Sequence, residues 1–228
     1  MSAAGRAAPR DDAALAALGA FPAATVHEAI GGRGALPARI RPLDRAMRVC
    51  GPALPVFCPA GDNLMLHAAI AEAPPGAVLV VDHEAAAEDG PFGDVLAAAC
   101  RARGIAGLVI DGCVRDAAAL RAMGFPVFCI GVCLRGTAKV RRGTVGAPIR
   151  LGDAVVHRGD AILGDEDGVV VVPAAEVARA AAAAAAREAE EAALREALAA
   201  GALTLDLLGL RGSLAAATGV PFGGGPAG

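Results

Sequence analysis

Between residues 61 and 133 the apolar positions follow two alternating patterns. "GDNLMLHAAIAEA" (61–73), "EDGPFGDVLAAACRARG" (88–104) and "DAAALRAMG" (116–124) each carry apolar residues at helical spacing. "AVLVVD" (77–82), "IAGLVIDG" (105–112) and "FPVFCIGVC" (125–133) are short continuous apolar runs, as expected of strands covered on both faces. The punctuation agrees. Asp62 or Asn63 opens the first helix and Pro74-Pro75-Gly76 stops it; Asp94 opens the second and Gly104 ends it; Asp116 opens the third and Gly124 ends it. The order helix–strand–helix–strand–helix–strand predicts a parallel sheet with helices packed on it.

The flanking patterns differ. "DDAALAALGAF" (11–21) reads as a short helix, and "ATVHEAIGGRGAL" (24–36) as a helix ending at Gly31-Gly32. "AMRVCGPALPVFC" (46–58) reads as extended chain broken by Pro52 and Pro55. From 145 to 173 short extended runs are separated by Gly-Asp or Asp-Gly turns at 152–153, 159–160, 164–165 and 167–168, which predicts a β-rich section with hairpins. Residues 174–201 are almost all good helix formers and read as one long helix ended by Gly201. The expected organisation is an N-terminal arm and short helix (1–20), a single α/β domain (21–210) and a Gly/Pro-rich flexible tail (211–228).

Composition narrows the function classes. The net charge of −3 and pI near 5.8 imply no basic face, so nucleic acid is not an expected partner. No run of about 18 strongly apolar residues predicts a membrane span, and "MSAAGRAAPRDD" does not read as a secretory signal, so a cytoplasmic protein is expected. The six cysteines, none in C-x-x-C spacing, read as free buried thiols, with Cys113 beside Arg115 as a candidate reactive one.

Candidate chemistry gathers at two strand-to-helix junctions, "GPFGDVL" and "DGCVRDA". In α/β sheets ligands collect at the carboxyl ends of the strands, where helix N-termini also point. The first junction offers free first-turn amides suited to an anion. The second offers Arg115, a planar donor for a carboxylate or an oxyanion, and Asp116, a hard oxygen ligand for Mg²⁺. Asp94 and Asp116 are equally good helix caps, and Arg115–Asp116 also reads as a surface ion pair. His67 reads as a packed histidine and His27-Glu28 as a candidate site pair. Asp165, Glu166 and Asp167 form a solvated turn in this reading. Arg187, Glu188, Glu190 and Glu191 pair along a wet helix face.

Four blocks, "TVHEAIGGRGALPARIRPL" (25–43), "GDNLMLHAAIAEAPPGAVLVVD" (61–82), "GDVLAAACRARGIAGLVIDGCVRD" (93–116) and "GDAVVHRGDAILGDEDGVVVVP" (152–173), resemble the 4-hydroxy-4-methyl-2-oxoglutarate aldolases and the related regulators of ribonuclease E activity. The resemblance covers about residues 20–210. It implies an α/β fold of the swivelling phosphohistidine-domain type, with a parallel-containing sheet flanked by helices, a β-rich section and a long C-terminal helix. It implies a homotrimer or a dimer of trimers and a divalent cation, Mg²⁺ or Mn²⁺. Asp116 then matches the metal ligand and Arg115 the contact to the substrate's keto oxygen. Gly93, Asp94, Val95 and Leu96 match the turn that holds the substrate carboxylate, Asp94 also positioning water on the metal. Glu191 matches a glutamate supplied to a neighbouring subunit, with Glu188 and Glu190 close by.

The implied activity is a class II retro-aldol cleavage of 4-hydroxy-2-oxo acids to pyruvate, with oxaloacetate decarboxylation through the same enolate. On this view Arg115 and Asp116 face different partners, enolate and metal, and not each other. The alternative is a protein-binding regulator that inhibits a ribonuclease. A quinone methyltransferase would need a glycine-rich cofactor loop, which the sequence lacks in the required setting.

Overall fold

The computed structural model describes residues 11–218, so the expected arm at 1–10 and the tail at 219–228 lie outside the described residues. The chain forms two compact units, one up to Ala184 and one from Ala185. In the first, α1 (Asp12–Leu18) and α2 (Ala23–Ala29) precede β1 (Arg41–Pro42) and β2 (Val49–Phe57). Three helix–strand pairs follow: α3 (Leu64–Glu72) with β3 (Val78–Ala86), α4 (Asp94–Ala102) with β4 (Gly107–Val114), and α5 (Ala117–Met123) with β5 (Val127–Cys129). Then come β6 (Gly131–Val132), β7 (Thr144–Val145), the hairpin β8 (Ile149–Leu151) with β9 (Ala154–Val156), and the hairpin β10 (Ala161–Asp165) with β11 (Gly168–Val172). A 3₁₀ turn leads into α6 (Val177–Ala199), whose residues from 185 belong to the second unit with α7 (Thr204–Leu207) and α8 (Arg211–Thr218).

The expected parallel sheet is present. β2, β3, β4 and β5 are mutually parallel neighbours in the path β1-β5-β4-β3-β2-β10-β11, with antiparallel strands at both ends. The sheet nearly closes on itself. The Leu36 amide donates to Val169 O at 2.9 Å and the Val171 amide to Gly34 O at 2.8 Å, so the segment ahead of β1 reaches β11. One face of the parallel strands (Leu54, Val56, Leu79, Val81, Leu108, Ile110) packs on Leu66, Ile70, Ala97, Cys100 and Leu120 of α3–α5. The other face (Val78, Val80, Val109, Phe128) fills the interior with Ile162 of β10 and with Ile40, Ile149 and Leu151. Strands buried on both faces explain the unbroken apolar runs. Each fully buried aliphatic side chain contributes about 1.5–3 kcal/mol.

Several expectations change. Pro52 and Pro55 do not break β2. Ala53 donates to Asp160 O at 2.7 Å and accepts from Gly159 N at 2.9 Å, so its polar groups face β10; by alternation those of Pro52 face the other way, ahead of the start of β3 pairing at Ala53–Val78. Pro55 O accepts from Gly146 N at 2.8 Å, on a side where β10 has already ended. Each missing N–H therefore falls where no ladder bond is required. Gly164-Asp165 lies within β10 instead of forming a turn, and Asp165 is buried, accepting from Ala23 N at 2.8 Å and Asp167 N at 3.0 Å; it holds the start of α2. Glu166 and Asp167 are exposed, as a turn requires. His67 is exposed and not packed, because it lies on the outer side of α3. A helix occupies 211–218, where the flexible tail was expected to begin. No helix of the described residues is long and apolar enough to cross a membrane.

Asp62 joins α3 to the loop ahead of β7. Its carboxylate is fully buried and accepts from Leu64 N (2.8 Å), Val140 N (2.7 Å) and Arg141 N (3.0 Å). Burial opposes its ionisation, but the amides of Val140, Leu64 and Arg141, with the Arg141 charge, outweigh burial and hold the group below the usual carboxylate range. A depressed folded-state value gives stability that is present above the unfolded value of about 4 and is lost as pH falls below it. Asp62→Ala is expected to lower the unfolding free energy by about 3 kcal/mol in urea at neutral pH, with the gap to wild type shrinking in acid. Equal stability at neutral pH would contradict this.

Candidate active site

Two loops follow the neighbouring parallel strands β3 and β4 and meet at their carboxyl ends. The Arg115 amide donates to Phe92 O at 2.8 Å, which joins them directly. Phe92 is wholly buried and anchors the first loop in the core. The next residue, Gly93, is the N-cap of α4 and makes no side-chain cap. It touches the second loop so closely that a Cβ added there would lie 2.2 Å from Asp116 Oδ2 and 3.2 Å from Arg115 Nε. Only glycine allows that approach.

The structure therefore brings Gly93, Arg115 and Asp116 together, with Asp94, Val95 and Leu96 continuing from Gly93 into the first turn of α4. Among the described residues the amides of Gly93, Asp94 and Leu96 find no protein acceptor, whereas Val95 N turns to Asp94 Oδ1 at 2.7 Å. The α4 dipole adds positive potential at this end. Asp94 is the first residue inside the helix and not its cap, because Gly93 holds the non-helical cap conformation. Leu96 is buried and pins the turn to the core, while Val95 is exposed.

Asp116 occupies the N-cap position of α5, yet its backbone is left-handed (φ 56°, ψ 36°) and its side chain makes no cap hydrogen bond. Asp tolerates this conformation better than most residues, at a cost of order 1 kcal/mol or more. The capping explanation of Asp116 thus fails, and the carboxylate is turned toward Gly93. Arg115 Nε lies 3.5 Å from Asp116 Oδ2, so the cation and anion do face each other, contrary to expectation. Their side chains are 45% and 41% exposed, and an ion pair this long and open is worth about 0–1 kcal/mol. It can part around a ligand at little cost. Gly136 of the loop after β6 lies near Arg115 Nη1, and Cys133 O packs against Gly90.

The other expected residues lie apart from this cluster. His27 lines a cavity of about 240 Å³ with Leu36, Pro37 and Asp167, and Glu28 is exposed. A second cavity, about 400 Å³, has Leu54, Ala77, Arg158 and Val177 among its lining; neither cavity includes residues 93–96, 115 or 116. Glu191 belongs to the second unit, where Arg187 (3.0 Å) and Arg195 (3.4 Å) pair with it and Arg195 also holds Glu188 at 2.9 Å. Glu190 is exposed. All six cysteines are free. Burial pushes the Cys113 thiol above its ordinary value, and the neighbouring Cys133, Asp89 and Glu88 add to this. Proximity to Arg115 in sequence does not make Cys113 a thiolate.

Sequence reasoning missed the groups beneath the first loop: His83, buried, and Asp89, whose carboxylate meets the imidazole at 2.8 Å. The apolar pattern places the strand end at Asp82, but β3 continues to Ala86 through an irregularity after Asp82. A histidine directly after an apolar run, with an aspartate six residues on, was the available signal.

A metal would find one outward carboxylate here, Asp116, with Asp94 beginning the adjacent helix. Among the described residues no three His, Cys, Asp or Glu side chains gather into a cage. The donor set fits a hard cation of the Mg²⁺ kind, which takes one or two carboxylates and completes its shell with water and substrate oxygens.

The RraA-like family profile, described as Aldolase/RraA, matches residues 23–171. A Halalkalibacterium halodurans protein named as a proposed 4-hydroxy-4-methyl-2-oxoglutarate aldolase is 37% identical over 153 residues, covering 67% of this chain and 73% of that one. The crystal structure of Streptomyces coelicolor RraAS2, described as an unusual member of the RNase ES inhibitor RraA family, superposes with a TM-score of 0.73 at 29% identity, over 82% of this chain and 99% of that one. The Thermus RNA-processing inhibitor RraA superposes with a TM-score of 0.62 at 26% identity, over 67% and 92%.

The burial of Cys113 has a direct consequence. Iodoacetamide at neutral pH is expected to leave Cys113 unmodified in the folded protein and to label it in urea, as read by peptide mass mapping. Rapid labelling of the native protein at Cys113 would contradict the geometry.

Proposed function

Because the chain belongs to the Aldolase/RraA family, we propose that it is a lyase that cleaves 4-hydroxy-2-oxo acids, of the 4-hydroxy-4-methyl-2-oxoglutarate type, to pyruvate. The observation that carries this reading is the approach of Gly93 to Arg115 and Asp116, which sets an amide row, a guanidinium and an uncapped carboxylate around one point. Asp116, with Asp94 behind it, would hold Mg²⁺ or Mn²⁺, making the enzyme a class II aldolase. When bound, such an ion supplies a Lewis acid for the keto oxygen and carboxylate of the 2-oxo acid.

The chain's own groups do the rest. The amides of Gly93, Asp94 and Leu96 donate to the substrate carboxylate. The free Asp94 oxygen orients a water that takes the 4-hydroxyl proton. The C3–C4 bond then breaks, C4 leaves as a carbonyl, and the electron pair remains as the enolate of pyruvate. Arg115 donates to the enolate oxygen, where the charge has grown. The proton taken from the 4-hydroxyl, held by the water and the Asp94 carboxylate, returns to C3 and completes pyruvate. Loss of CO₂ from oxaloacetate leaves the same enolate, so decarboxylase activity needs no further residue.

The exposed Val95 (72%), Val132 (53%) and Leu134 (93%) lie on the elements that frame the site. Apolar side chains exposed on these elements suit a covering subunit, which supports a homotrimer or a pair of trimers. Glu191 is then assigned to the site of a neighbouring subunit. We assign the protein to the cytoplasm. The names of the RraA structures favour one second reading, a regulator that binds and inhibits a ribonuclease through its outer surface.

Arg115→Ala separates the two. In a lactate-dehydrogenase-coupled assay over a panel of 4-hydroxy-2-oxo acids and oxaloacetate, Arg115→Ala is expected to lower kcat about 10²–10³-fold, the cost of one preorganised contact to a developing oxyanion. Asp116→Ala and a chelator are expected to abolish pyruvate release. Full activity in either variant refutes the site. Ribonuclease inhibition that survives Arg115→Ala, with no pyruvate released by wild type, favours the regulator.

A further inference from the structure

The loop that carries Gly93 is held residue by residue from below. His83 is wholly buried. Its Nδ1 lies 2.8 Å from Cys58 O, which can only accept, so Nδ1 carries a proton; its Nε2 lies 2.8 Å from Asp89 Oδ1. The other Asp89 oxygen accepts from Gly61 N at 2.5 Å. A Cβ on Gly112 of β4 would sit 2.9 Å from the His83 ring, so glycine there leaves room for the imidazole. Gly90 N donates to Arg135 O at 2.8 Å, and Asn63 Nδ2 donates to Pro91 O at 2.8 Å. Phe92 O accepts from Arg115 N, and Gly93 meets Asp116. The left-handed backbone at Glu84 (φ 57°) and Ala85 (φ 54°) follows directly after His83, where β3 turns irregular.

We propose that His83 and Asp89 are positioning residues for the lyase reaction: the buried imidazole–carboxylate contact sets the height of the 89–93 loop and so the register between the α4 amides and the Arg115–Asp116 pair. This rests on the lyase reading above. Neither side chain touches the substrate position; each acts through the backbone between Asp89 and Gly93. The ring is fixed at both nitrogens and the carboxylate at both oxygens, so the unit has one arrangement. A misplacement of about 1 Å at reacting groups costs about 10²-fold in rate. Asn63 belongs to the same frame. Its Oδ1 is buried without a partner, so its amide is committed through Nδ2 to Pro91 O.

The test combines kinetics with hydrogen exchange on the full chain, with Mn²⁺ added. His83→Ala is expected to lower kcat about 10²-fold with KM changed far less, and to speed amide exchange at 90–96 while leaving β4 protected. His83→Gln can turn a side-chain amide N–H toward Asp89 and is expected to recover part of the lost kcat. Asp89→Ala is expected to match His83→Ala, and the double variant to lose no more than either alone. If His83→Ala does not fold, His83→Gln and Asp89→Ala carry the same comparison. Unchanged kcat with faster exchange at 90–96 overturns the proposal, as does a rate loss accompanied by equal loosening of β4. If wild type releases no pyruvate, the lyase reading has failed. The structural part, that the His83–Asp89 contact holds the 89–93 loop, then stands if loosening is confined to 90–96 and falls if exchange there is unchanged.

Discussion

The 2.8 Å hydrogen bond from the Arg115 amide to Phe92 O is the constraint on which the site depends. It ties together two loops that leave adjacent parallel strands. Parallel pairing of β3 and β4 brings their carboxyl ends side by side, and the bond converts that proximity into a fixed register. Gly93 then lies against Asp116 and Arg115, and the first turn of α4 opens onto the same space. The proposed chemistry falls where the topology makes helix N-termini and strand ends coincide.

Two features mark the proposed site. Asp116 holds a left-handed backbone at a helix start without using its side chain as a cap, and such local strain persists only where the surroundings enforce it. The Arg115–Asp116 pair is long and open, so it orients both groups without locking either. The cost of building the site is thus carried by the backbone and the buried polar frame beneath it.

Much of this was legible in sequence. The alternation from 61 to 133 gave the parallel order because a strand buried on both faces must be apolar throughout, and the helices between carry their own caps. Arg115, Asp116 and the Gly93 turn stood out because charge and glycine interrupt apolar runs at the junctions. What escaped had long-range causes. Pro52 and Pro55 sit inside a continuous strand because neighbouring strands start or end beside them, which local propensity cannot register. Asp165 is buried because Ala23, 142 residues away, needs an acceptor. Asp94 reads as a cap, but Gly93 holds the cap conformation. His83 and Asp89 meet only because β3 runs past its apolar stretch. The mutual approach of Arg115 and Asp116 depends on backbone angles that residue type alone does not specify.

The central claim is that one glycine lets a carboxylate and a guanidinium meet the α4 amides, and Gly93→Ala tests it most directly. The added methyl would displace the Asp116 carboxylate, a mobile side-chain end, and leave the core intact. Mn²⁺ titration followed by electron paramagnetic resonance, alongside pyruvate release, is expected to show metal affinity reduced by about tenfold or more and turnover lost, with the unfolding midpoint nearly unchanged. Wild-type Mn²⁺ affinity and turnover in that variant would contradict the account.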